Sequence, residues 1–88
     1  MTIKVDIKAI YTDLKSTLRA SASIIFDEVF VIRDVRLIQK RDKHFLSMPS
    51  IRFGNGVWRN ACHPINNDFR KRIQTAYIEA YNNYTSAR

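Results

Sequence analysis

Eighty-eight residues suffice for one domain with a single modest core, and apolar and aromatic shares of 45% and 11% exclude a disordered chain. Fifteen Lys and Arg against eight Asp and Glu leave a net charge of +7, which points to an acidic partner, nucleic acid ahead of an anionic membrane surface. One cysteine, Cys62, excludes an intrachain disulfide, and no apolar run nears the ~20 residues of a transmembrane helix.

The chain opens with Ile3, Val5, Ile7 and Ala9 alternating with Lys4, Asp6 and Lys8, the period-2 signature of a half-buried strand. This opening lacks the apolar stretch of a signal peptide, so cytoplasmic residence is the expectation. A polar turn is predicted around Thr12–Ser16. Leu18, Ala20, Ala22, Ile24 and Phe26 then form a second alternating strand, and Asp27-Glu28 a tight turn into a third, about Val29 to Gln39. There the apolar parity flips, with Phe30 and Ile32 on one face and Val35 and Leu37 on the other. Either a bulge near Arg33-Asp34 re-aims the strand or both faces are partly covered; the bulge is preferred.

Lys40–His44 reads as a charged turn and Phe45–Met48 as a short fourth strand, stopped by Pro49, which cannot donate to a ladder. Ser50–Gly56 reads as a flexible loop, and Val57–Cys62 as a fifth strand with Trp58 and Cys62 on one face. Trp58 has two readings, a core anchor or an exposed ring for stacking. A helix follows from about Asn67 to Asn83, capped by Asn66 or Asn67. Its stripe of Phe69, Ile73, Ala76, Tyr77, Ala80 and Tyr84 covers one face of the sheet. Ile78 falls opposite that stripe, which suggests a subunit contact.

The whole is one α+β domain over residues 1–88: an antiparallel β-sheet of about five strands, spanning 3–62, with one C-terminal α-helix packed on it. The unpaired edges of so small a sheet make a homodimer, through edge pairing and a helix face including Ile78, the economical expectation.

Catalysis is not expected. Neighbouring residues on an extended strand point apart, which separates Cys62 from His63 as nucleophile and base. Two His and one Cys without C-x-x-C spacing argue against a metal, and no phosphate-binding glycine loop or other cofactor motif is present. Binding has more material. Arg70-Lys71-Arg72 opens the helix, where its dipole disfavours cations and an external anion would compensate. Arg52 and Phe53 on the loop and Trp58-Arg59 on the strand mix cations with rings, a pattern that grips phosphates and stacks on exposed bases. The candidate nucleic-acid contacts are therefore Arg52, Arg59, Arg70, Lys71 and Arg72. The alternative is a non-enzymatic adaptor docking an acidic protein surface. A membrane-surface role fits least, because the far helix face carries Lys71, Thr75 and Glu79 rather than a sustained basic stripe.

Met48-Pro49-Ser50, then Trp58-Arg59 leading into His63-Pro64-Ile65-Asn66, then Arg70-x-Arg72-Ile73-Gln74 resemble the SpoVG family of bacterial stage V sporulation or septation proteins. Ala20-Ser21-Ala22-Ser23-Ile24, Phe30-Val31 and Asp34-Val35-Arg36-Leu37-Ile38 add to the resemblance, which covers roughly Lys4 to Tyr81. It implies a small dimeric DNA-binding regulator linked to septation and gene expression, with RNA as a further ligand, and it makes the alternative an adaptor or structural protein of the cell-division machinery. It also places a loop contact on Arg52 and helix contacts on Arg70 and Arg72. Ile51 stands where the family typically has Lys, and Lys71 where a small residue is usual. The acidic tail common in relatives is missing, so this chain is expected to adhere more strongly to nucleic acid.

Overall fold

The alternating segments become strands in a computed structural model, which describes residues 1–13 and 15–86. Leu14, inside the predicted Thr12–Ser16 turn, lies outside the described residues. β1 (Ile3–Ile10), β2 (Leu18–Phe26), β3 (Phe30–Lys40) and β4 (Lys43–Ser47) form an antiparallel meander in the order β1-β2-β3-β4. Among the described residues β5 (Ser50–Arg52) and β6 (Trp58–Asn60) pair only with each other, and α1 (Asn67–Ser86) packs across the meander.

Turn chemistry sets the register. Asp27 and Glu28 both adopt left-handed φ, 51° and 59°, and the Val29 amide donates to the Phe26 carbonyl at 3.0 Å. That geometry matches the right-handed strand twist of a hairpin. Asp27 also ties down the first strand, its Oδ1 accepting the Thr2 amide at 2.6 Å while its own amide donates to the Thr2 carbonyl at 2.9 Å. The predicted charged turn is tighter than the sequence suggested. Lys40 pairs directly with Lys43 across Arg41-Asp42, with Arg41 at φ 56°, and β4 begins before Phe45.

The parity flip in β3 is a bulge. Ala22 faces Val35 but Ile24 faces Ile32, so three steps along β3 match two along β2, and Asp34 takes up the extra residue at φ 61°. Phe30 and Ile32 are thereby brought to the same side as Val35 and Leu37. Ala20, Ala22, Ile24, Phe26, Val35 and Leu37 form the sheet half of the core, and Ile73 and Tyr77 supply the helix half. Burying each large aliphatic side chain here contributes about 1.5–3 kcal/mol. The Phe69 ring sits 5.8 Å from that of Phe26, pinning the start of the helix over the β2–β3 end of the sheet.

Tyr77 is fully buried and donates its hydroxyl to the Val35 carbonyl at 2.9 Å, directly after the bulge. Burial, with the Tyr11 phenol as the lesser cause, pushes the Tyr77 hydroxyl far above the ordinary tyrosine value.

Four expectations change. The fifth strand does not join the main sheet. β4 pairing ends at Arg36↔Ser47, because the bulge at Asp34 bends β3 away and Pro49 has no N–H to continue the ladder. Part of the expected Ser50–Gly56 loop is instead β5, which folds against β6 as a separate hairpin. Trp58 is no core anchor: alternation finds a strand but not what covers it, and the ring is 64% exposed on the hairpin. Ile78 and Tyr81 are half-buried against the chain's own core, since the helix leans toward β1 and widens its buried face. Ile78 is therefore not a separate outward patch.

Candidate functional site

All six paired residues of the β5–β6 hairpin are exposed, and an isolated hairpin is marginal in water. Its turn is shaped by Gly56 at φ 83°, with the Phe53 amide donating to the Val57 carbonyl at 2.9 Å. Its base is closed by the Ala61 amide donating to the Pro49 carbonyl at 2.7 Å. Cross-strand pairing puts Arg52 with Trp58 on one face and Ile51 with Arg59 on the other. The Arg59 guanidinium lies 5.9 Å from the centre of the Phe53 ring, which is 49% exposed. The two candidate arginines of the hairpin thus face opposite ways, each beside an exposed ring.

Asn66 is the helix cap: its Oδ1 accepts the Phe69 amide at 2.9 Å and its carbonyl the Arg70 amide at 3.0 Å. Asn66→Ala is expected to cost about 1 kcal/mol, read as a lower midpoint in urea unfolding with unchanged slope. This cap also moves the helix cations. Asn67, Asp68 and Phe69 form the first turn, so of the three only Arg70 borders it, and the dipole penalty fades beyond that turn. Asp68 offsets what remains. The dipole argument for an external anion is accordingly weaker than the sequence suggested.

The helix cations also diverge. Arg70 donates to the Pro64 carbonyl at 3.1 Å and borders a groove with Lys40, Phe45, Asn60 and His63. Arg72 donates to the Met1 carbonyl at 2.8 Å, lies 6.0 Å from the Phe69 ring centre, and shares the β1 side with Lys71. Successive helix positions lie about 100° apart, so Arg70 faces the hairpin base while Lys71 and Arg72 face the opposite flank. The five candidate cations do not make a single corner. All five are exposed, and among the described residues the one ion pair is Lys8–Asp6 at 2.7 Å.

The sequence did not single out Arg36, which the bulge and the end of β4 place at a cleft with Asp34, Pro49, Ser50 and Trp58. An arginine on the polar face of an alternating strand is ordinary, so no local signal marked it. Cys62 and His63 lie beyond β6, so strand alternation does not separate them, and both line an apolar cleft of about 290 Å³ with Phe26, Met48, Phe69 and Ile73. His63 Nδ1 sits 3.2 Å from the Pro64 carbonyl. No helix of the described residues is long and apolar enough to cross a membrane.

These features define a small α+β domain, one helix on a four-stranded meander, that projects a hairpin bearing cations and aromatic rings. The chain belongs to the SpoVG family, whose sequence model matches residues 1–83. It is 38% identical over 77 residues to a Finegoldia magna protein named "Putative septation protein SpoVG", covering 88% of this chain and 71% of that one. A protein of the same name from an Exiguobacterium species is 36% identical over 78 residues, 89% of this chain and 79% of the relative. One from Macrococcus caseolyticus is 44% identical over 66 residues, 75% and 57% respectively.

Proposed function

We propose that this chain is a non-enzymatic, nucleic-acid-binding regulator acting in the cytoplasm on septation or sporulation-type gene expression, with DNA as the first ligand and RNA as the second. The observation that carries this reading is that Arg52, Arg59, Arg70, Lys71 and Arg72 are all exposed and, among the described residues, none is paired with a carboxylate. Charge left open in this way, within a net +7, is available to phosphates. Phosphate contacts from two flanks and a projecting hairpin suit an extended polyanion better than a single small anion. The septation role rests on the names of the relatives. A homodimer formed through the free edge of β1 would double the cationic surface, and Ile78, packed within its own chain, adds little to that contact.

Affinity for a short duplex measured against salt tests the reading. The logarithm of the binding constant should fall linearly with log salt, with slope about −0.9 per phosphate neutralised and so about −4.5 if the five cations engage. A flat salt response, or binding to an acidic division protein with no nucleic acid competing, would replace it with the adaptor reading.

A further inference from the structure

The cleft between the hairpin and the main sheet has a chemistry that phosphate binding alone does not use. It has a volume of about 270 Å³ and is lined by Trp58 and Pro49 together with the polar residues Asp34, Arg36, Ser47 and Ser50. Arg52, the cross-strand partner of Trp58, stands on the same face of the hairpin. We propose that this cleft receives one unpaired nucleobase, so that the hairpin, whose arginines also meet duplex phosphates, engages single-stranded nucleic acid. This rests on the nucleic-acid reading above and narrows it to a form of ligand.

The argument has three parts. Trp58 is 64% exposed, so a broad ring face is open to solvent, and base–aromatic stacking works for every base because each has a π-face. Arg36 and Arg52 supply two guanidinium groups, each able to take the phosphate flanking a stacked base in a two-pronged hydrogen bond. Asp34, held at the left-handed bulge, brings a carboxylate that can accept from an exocyclic amine, and the two serine hydroxyls can donate or accept. A base inside a duplex is already stacked on both faces, so the cleft selects unpaired strands. The alternative occupant is a second copy of this chain. Two cations, a carboxylate and two hydroxyls make a poor match to the charge-depleted centre of a protein interface.

Trp58 is the chain's one tryptophan, so its emission reports on this cleft directly. The full chain is titrated with a single strand of about 12 nucleotides, within the usual range of single-strand site sizes, and with the duplex of the same sequence. Labelled-ligand anisotropy gives affinity, and Trp58 emission gives stacking. The strand is expected to quench Trp58 and the duplex to leave it unchanged. Trp58→Ala, an exposed change that spares the core, should weaken strand binding about tenfold and duplex binding less than twofold, with Trp58→Phe restoring most of the loss. Strand binding without quenching, or insensitivity to Trp58→Ala, overturns the base cleft while leaving nucleic-acid binding in place. Failure of both ligands to bind overturns both. An emission change that follows protein concentration and a dimer mass, without nucleic acid, assigns the cleft to a second copy and overturns the proposal.

Discussion

Tyr77→Ala should remove about half of this domain's stability, while Tyr77→Phe should cost less and still lower the melting temperature. The ring is fully buried between α1 and the sheet and is among the largest side chains wholly withdrawn from water. Deleting a buried aromatic ring costs about 3–5 kcal/mol, against a total stability for a chain of this size of about 5–10 kcal/mol. Removing only the hydroxyl keeps the packing but leaves the Val35 carbonyl without its 2.9 Å donor. A buried acceptor without a partner costs about 1–3 kcal/mol, and each kcal/mol lowers the midpoint of a small domain by roughly 4–8 °C. Thermal melts of the two variants separate the ring from the hydroxyl. A Phe variant that melts with the parent would mean that water satisfies Val35, and the carbonyl would not depend on Tyr77. Alkali gives a second check. In the unfolded chain the phenol ionises near 10, whereas the folded chain holds its proton to higher pH. The stabilisation that this residue confers is therefore complete below pH ~10 and is lost as pH rises past it, and the gap between parent and Phe variant should narrow in the same range.

Arg52→Ala with Arg59→Ala is expected to weaken duplex binding by about 10–100-fold at 0.1 M salt. Each neutralised phosphate adds roughly −0.9 to the salt slope, so two lost contacts flatten it by about 1.8 and remove nearly two decades of affinity between 1 M and 0.1 M. Both side chains project from the hairpin, so neither change touches the core. The comparison pair, Arg70→Ala with Arg72→Ala, also removes hydrogen bonds to the Pro64 and Met1 carbonyls and should be matched with Lys replacements. Because Arg70 and Arg72 face opposite flanks, a duplex lying along one side can lose only one of their contacts. A single-flank mode therefore predicts unequal effects for the two single variants, and a wrapped mode equal ones. If the hairpin pair changes neither affinity nor slope, the ligand does not touch the hairpin.

The strands of the meander, the bulge and a cap at Asn66 or Asn67 were legible because each has a local cause. The flip between Ile32 and Val35 required an extra residue near Asp34 whatever the rest of the fold did, and Asn66 before an apolar-periodic run is a cap by its own side-chain chemistry. The hairpin was not legible as a separate unit. Its departure depends on how β3 bends after Asp34 and on where β4 stops, and both are properties of the assembled sheet. Trp58 shows the same limit. Period two reports that alternate residues share a face and is silent on whether protein or water lies against it. For the candidate contacts, the sequence revealed the charges but not their directions. A shift of one residue in the cap carries Lys71 and Arg72 past the reach of the dipole, and only the packing of the helix on the sheet fixes which flank each arginine takes. Arg36 was passed over because an arginine on the polar face of a strand has no signal of its own until Trp58 is seen beside it.

The bulge at Asp34 has a consequence beyond aiming Val35 inward. With β4 ending at Ser47, the side of β3 away from β2 has, among the described residues, no strand along Phe30 to Asp34, and its sequence, rich in β-branched and aromatic residues, is of the kind that templates amyloid-like stacking. The left-handed kink at Asp34, with the charged Arg33 beside it, spoils the straight run that an incoming chain would need. Straightening this stretch, by deleting Asp34, should therefore expose the protein to fibre growth as well as scramble its interior.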